Sequence, residues 1–243
     1  MTKTGLGAII GKISLPGVKE AMKDIFLIRH GRQDSKLCNV NVGLSEAGRE
    51  QARLLGERLR TYGIEKMYTS ELSRAVETAQ IIAGIIGVDV EELPDIEEIH
   101  FGGFTGKTDE MIRALYGSFQ EERRKHEADI PFPVGGECGA DVVRRAMPVL
   151  RSLNEREENR IAVVTHGGVI RSVCAHILGA DQKDKLKFGI DIENTALTHL
   201  IYDPERDFYF LERFNDHAHL EGRPELMRKG WKTSLERNLT EGD

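Results

Sequence analysis

The run Asp24-Ile-Phe-Leu-Ile-Arg29 has no polar face between its ends, and Ile161-Ala-Val-Val-Thr165 places four β-branched residues in five positions. Strands of this kind must be covered on both sides, the condition met inside a parallel sheet flanked by helices. Helical patterns fall between the strand signals. From Ser45, an expected N-cap, Ala52, Leu55, Leu59 and Tyr62 recur at helical spacing until Gly63 stops the pattern. Residues 64–69 then read as a strand, 71–86 as a helix ended by Gly87, and 88–93 as a third, shorter strand. This βαβαβ order predicts an α/β fold: a three-layer, doubly wound, mostly parallel sheet with helices on both faces. Residues 195–202 and 208–214, separated by Asp203-Pro-Glu-Arg-Asp207, predict a closing hairpin and hence an antiparallel edge strand.

The middle is less regular. Residues 107–127 are charged and helical in pattern, Ile130-Pro-Phe-Pro-Val-Gly-Gly136 is a turn-rich loop, and residues 141–157 form another helix. Gly167-Gly168 opens a helix running to Leu178. The chain therefore divides into an amino-terminal extension (1–23), a main domain (24–214) with an insertion near 107–138, and a carboxyl-terminal tail (215–243). The 243 residues are enough to bury one good core.

A net charge of -6 argues against nucleic acid or an anionic membrane surface as partner through the overall field. Cys38, Cys138 and Cys174 are too scattered for a disulfide framework or a metal site, so a reducing cytoplasm is expected. The apolar stretch over residues 6–15 is short and interrupted, unlike a signal peptide or membrane span. It is read as a cover for a sheet edge, a contact with a second copy in a homo-oligomer, or a disordered leader.

Polar residues at strand ends carry the chemistry. His30, Arg74, Glu98 and His166 each follow a strand signal, and open α/β sheets bind ligands outside the carboxyl ends of their strands. A neutral imidazole at His30 suits in-line attack on phosphorus. Arg29 and Arg74 offer planar donor forks that match phosphate oxygens. His166 would donate to a phosphoryl oxygen, with the amides of Gly167 and Gly168 free to point the same way at a helix start. Departure of the leaving group needs a proton, for which Glu98 is the first choice and Glu97 the second.

These residues lie in motifs that resemble the histidine phosphatase superfamily, in the branch of cofactor-dependent phosphoglycerate mutases and related phosphatases. The motifs are Leu27-Ile-Arg-His-Gly31; Gly43-Leu-Ser-Glu-Ala-Gly48 with Gln51-Ala52; Thr69-Ser-Glu-Leu-Ser-Arg-Ala75 with Thr78-Ala79; Glu98-Ile-His-Phe-Gly-Gly103; and Val164-Thr-His-Gly-Gly168. The resemblance runs from about Ile25 to Phe214. It implies that His30 is the phosphorylated histidine, that Arg29, Arg74 and His166 form the phosphate pocket, and that Glu98 is the acid that later activates water. It implies no metal and no other cofactor.

Some positions depart from the family pattern. Arg32-Gln33-Asp34 follows Arg-His-Gly where many relatives carry Glu and then Thr or Ser. Arg32 is read either as a ligand for a second anionic group or as a surface residue paired with Asp34. The Trp-Asn pair that the mutase branch tends to carry is missing from residues 33–41. Pro133-Val-Gly-Gly-Glu-Cys138 resembles a loop that usually ends in Gly-Glu-Ser.

Blander readings stand beside these. His166 alone would be an ordinary hydrogen-bonded residue at a helix start, and Glu98 a solvated acid near Glu91, Glu92, Asp95 and Glu97. Residues 102–108 look superficially like a phosphate-binding loop but have no glycine at Phe101 and no buried strand before them. His217 and His219 are spaced like metal ligands, yet a solvated tail is the expected reading. Cys174 reads as a small buried hydrophobe. The sequence thus predicts a phosphatase that hydrolyses a small phosphomonoester through phospho-His30. The alternatives are a mutase using the same site and a noncatalytic phosphate-binding or interaction module.

Overall fold

A computed structural model of the chain describes residues 21–189 and 191–228. Most of the amino-terminal extension, including residues 6–15, lies outside the described residues, as does the tail beyond residue 228.

Six strands form one sheet in the order β3-β2-β4-β1-β5-β6. They are β1 (Lys23–Arg29), β2 (Lys66–Ser70), β3 (Val90–Leu93), β4 (Arg160–Thr165), β5 (Leu197–Asp203) and β6 (Phe208–Asp216). The β1–β4, β2–β4 and β2–β3 pairs are parallel, with Ile25 opposite Ile161 and Met67 opposite Ala162. β5 runs antiparallel to both β1 and β6, so the expected hairpin does close the sheet, with β6 outermost.

The unbroken apolar runs are explained by two cores. Phe26, Ile28, Ala162 and Val164 face α1 (Glu46–Leu59) and α2 (Ser73–Ile86), where Ala52, Leu55, Ala79 and Ile82 cover them. Ile25, Leu27, Ile161 and Val163 face the other way, onto α4 (Gly139–Leu153) and α5 (Gly167–Ile177), through Val142, Leu150, Ile170 and Val173. Each large aliphatic side chain so buried contributes roughly 1.5–3 kcal/mol. α3 (Asp109–Arg124) lies in the insertion, anchored by Phe119 against Phe104 and Phe132.

Ser45 caps α1 as its sequence predicts, accepting from the Gly48 amide at 3.2 Å. Gly87 ends α2 with φ +77°, a left-handed turn open to glycine. Two boundaries differ from the expected ones for nonlocal reasons. α2 begins at Ser73 rather than Glu71, because the Ser73 amide is capped by the side chain of Asn41 at 2.9 Å. α4 begins at Gly139, two residues early, because Asp129 accepts from the amides of Gly139 and Ala140 at 3.0 and 2.8 Å, adding to the local cap in which Asp141 accepts from the Cys138 amide at 2.9 Å. β5 starts at Leu197 because Thr195 sits at φ +58° and cannot continue a strand.

The segment after Asn215 is not a solvated appendage over its described length. Leu220 and Leu226 are buried, Asp216 pairs with Arg58 of α1, and Arg223 pairs with Glu50.

Candidate active site

The carboxyl ends of β1, β2 and β4 meet beneath a cleft of about 900 Å³. Its lining includes Arg29, His30, Arg32, Arg74, Glu98 and Asn194, with Leu37, Cys38, Phe101 and Arg228 further out. His166 lies buried beside it, its ring centroid 5.0 Å from that of His30. The residues expected from sequence are therefore brought together from distant segments.

His30 follows β1 and is buried. Its Nδ1 is 2.7 Å from the carbonyl oxygen of Gly31, which can only accept, so the proton sits on Nδ1 and Nε2 keeps its lone pair. Arg74 Nε donates to that Nε2 at 3.2 Å. Burial first, then the charges of Arg29 and Arg74, hold the His30 pKa well below the usual histidine value, so the ring is neutral at pH 7. That is the state a nucleophile requires.

Arg74 stands in the first turn of α2 and is held by the Val40 carbonyl (3.1 Å) and the Asn39 side chain (2.7 Å). Arg29 donates to the Ile192 carbonyl, while its Nε is buried without a partner among the described residues. Burial, reinforced by Arg228, lowers the Arg29 pKa to about 10, which leaves it charged at neutral pH. Two cations thus converge where two buried imidazoles stay uncharged. His166 is held neutral by burial and by the neighbouring His30, Arg74 and Arg29.

Glu98 accepts from the amides of Ile99 and Gly168, each at 2.9 Å and both on Oε1. Oε2 is the oxygen not engaged by the backbone. Glu97 is not part of the cleft lining; it lies 3.9 Å from Arg145, and burial raises its pKa. The expectation that the Gly168 amide is free for phosphate is corrected: that amide holds the acid in place. A side chain at residue 168 would collide with Glu98 Oε1 and with Ile99 Cγ2.

Arg32 takes a role that neither sequence reading anticipated. Its guanidinium donates through Nη2 to the carbonyls of Leu226 (2.6 Å) and Met227 (3.0 Å), tying the tail to the cleft wall. Gln51 joins the same link, accepting from the Arg32 amide and donating to Leu226 O at 2.7 Å. His217 and His219 are half-buried and hydrogen-bonded: His217 Nδ1 lies 2.7 Å from Asn215 O, and His219 Nε2 lies 2.9 Å from Thr195 Oγ1. Among the described residues, no cluster of His, Cys, Asp and Glu has the makings of a metal site. Cys138 begins α4 with its thiol donating to Asp141 and lies outside the cleft, and Cys174 is buried as expected. Residues 102–104 form a single 3-10 turn.

Sequence reasoning missed several supporting residues. Thr78 accepts from the Gly31 amide at 3.0 Å, and Asn194 donates to the His30 carbonyl at 2.9 Å. Thr78 stands in a quoted motif that signals it. Asn194 has no local signal, since only the fold places the segment before β5 against the end of β1. The next residue, Thr195, is β-branched in the left-handed region, a strained geometry that costs of order 1–3 kcal/mol and is held here by its amide bond to Arg29 O.

A six-stranded α/β sheet with paired histidines and arginines at its strand ends defines a class of phosphoryl-transfer enzymes. The chain belongs to the histidine phosphatase superfamily (branch 1), whose pattern it matches over residues 25–217. It is 34% identical over 158 residues to phosphoglycerate mutase-like protein 4 of Arabidopsis thaliana, covering 62% of this chain and 69% of that protein. It is 31% identical over 188 residues to a metal-independent phosphoserine phosphatase of the same plant, covering 70% and 74%. Among solved structures, it resembles a mycobacterial glucosyl-3-phosphoglycerate phosphatase with 25% identity and a TM-score of 0.73, over 81% of this chain and 100% of the other. Phosphoserine phosphatase from Entamoeba histolytica, solved with phosphoserine, matches with 26% identity and a TM-score of 0.69, over 82% and 99%.

Proposed function

We propose that this protein is a phosphatase that hydrolyses a small phosphomonoester through a phosphohistidine on His30. The observation that carries the reading is the tautomer of His30: the proton is tied to Gly31 O through Nδ1, and the lone pair of Nε2 faces the cationic side of the cleft at Arg74. Nε2 attacks phosphorus in line while the ester oxygen leaves with the proton of Glu98. Arg29, Arg74 and His166 stabilise the charge on the equatorial oxygens. Glu98, now ionised, takes a proton from water, whose oxygen attacks the phosphohistidine. Inorganic phosphate leaves and both residues return to their starting states.

Relatives named for phosphoserine and for glucosyl-3-phosphoglycerate support a small phosphorylated substrate. The three free cysteines support a cytoplasmic setting. Hydrolysis is favoured over mutase chemistry because the Trp-Asn pair is missing and Arg32, the extra cation beside His30, is engaged by the tail.

The test is phosphate release from a panel of phosphomonoesters by wild type and His30→Ala. Wild type should release phosphate and form an acid-labile phosphoenzyme, and the variant should do neither. Transfer of the label to phosphoglycerate instead of water would favour the mutase. Full activity in the variant would sink the nucleophile assignment.

A further inference from the structure

We propose that Ser70 is a positioning residue for this phosphoryl transfer: its hydroxyl holds His166 in the tautomer that carries the proton on Nδ1, so that the ring donates to a phosphoryl oxygen. This rests on the reading of the site as a phosphohistidine centre. Ser70 ends β2 and His166 directly follows β4. The two strands pair in parallel, with Thr69 opposite Val164. Adjacent strand ends thus bring together side chains that are 96 residues apart in sequence. Both residues are fully buried, and Ser70 Oγ lies 2.6 Å from His166 Nε2. The other nitrogen of the ring, Nδ1, is buried with no partner among the described residues.

Two proton arrangements fit that distance. If Nε2–H donates to Oγ, the serine hydroxyl proton has no acceptor and the Nδ1 lone pair has no donor, because Oγ has no other partner among the described residues. If the hydroxyl donates to Nε2, Nδ1–H and the lone pairs of Oγ are left unmatched. The two arrangements leave equal numbers of buried groups unmatched, so the choice falls to what each presents at Nδ1.

The Nδ1-protonated form has the right sign. Nδ1–H is a donor, and an anionic oxygen bound between Arg29 and Arg74 is an acceptor. A bare Nδ1 lone pair would repel the same oxygen. Since the surrounding charges and burial keep the ring from holding two protons, the choice of nitrogen decides whether His166 helps or hinders. A hydroxyl that selects a tautomer from behind the ring is the arrangement by which outer groups orient functional histidines.

The proposal is tested on the full chain by nitrogen-15 NMR of labelled histidine, with the His166 signals assigned by comparison with His166→Gln. Wild type should show Nδ1-protonated His166, and Ser70→Ala should shift the ring to the Nε2-protonated or a mixed form. Turnover of p-nitrophenyl phosphate should fall roughly 10–100-fold in Ser70→Ala, mainly in kcat, with Ser70→Thr restoring most of it. An Nε2-protonated ring in wild type would overturn the proposal. So would a Ser70→Ala protein with unchanged tautomer and turnover. Failure of the phosphohistidine reading is seen separately, as full turnover by His30→Ala.

Discussion

The hydrogen bond from His30 Nδ1 to Gly31 O leaves the lone pair on Nε2, the nitrogen that the proposed attack on phosphorus would use, and burial keeps the ring neutral. Because the folded pKa is depressed, acidification must go well below pH 6.5 before the ring gains a proton. The expected kcat/KM profile on p-nitrophenyl phosphate therefore shows no inactivation step near pH 6.5. An acid limb at that pH would show that His30 titrates like a solvated histidine. Gly168 is a second residue-scale constraint, since its amide holds Glu98 and its missing side chain leaves room for that carboxylate. Gly168→Ala should push Glu98 out of register and lower kcat by up to about 10²–10⁴-fold, the usual scale for one acid–base group. The effect should be smallest on substrates with good leaving groups, which need less proton donation; an equal loss on all substrates would point to general damage.

At the scale of elements, α1 and the strands follow from local pattern, because spacing of apolar residues and a neighbouring cap are both visible within a few positions. The starts of α2 and α4 draw on distant side chains. Asn41 serves the first, and at the second Asp129 adds to the local capping box between Cys138 and Asp141. Asp129 also pairs with Lys185, whose ammonium is largely buried. Asp129→Ala leaves that charge without a counterion and two helix amides without a partner, and should cost roughly 3 kcal/mol, measured by urea denaturation. A change within about 0.5 kcal/mol, the scale of an ordinary surface substitution, would show that α4 does not depend on the link.

The whole molecule holds two buried histidines and the half-buried His219 in the neutral form. His30 and His166 have pKa values well below 6.5, and burial brings His219 to about 4. In the unfolded chain each takes up a proton near pH 6.5, so below that pH the unfolded state binds more protons and stability falls; above it the two states do not differ. From pH 7.5 to 5.5 each should remove about 1 kcal/mol of stability, before carboxylates such as Asp216, held at about 2, begin to protonate. Urea titrations at the two pH values measure the loss, and His219→Gln should shrink it by about one histidine's share. An identical pH dependence in that variant would mean His219 is not protected from protons in the native state.

The sequence by itself determined the alternation of strands and helices and the residue types at the strand ends, because side-chain periodicity and local capping act within one turn or one pleat. It also carried His30, Arg29, Arg74, Glu98 and His166, since motif chemistry is readable without coordinates. Only the tertiary structure decided what those residues touch. Arg32, read as a ligand for a second anion or as a surface residue, lines the cleft and also donates through Nη2 to a tail 194 residues away, and Gly168, read as a phosphate donor, has its amide taken by Glu98. His219 looked solvated until it packed against a strained Thr195. The physical reason is the same in each case: a buried polar group must be matched, and its match is set by which distant segments the sheet order brings into contact.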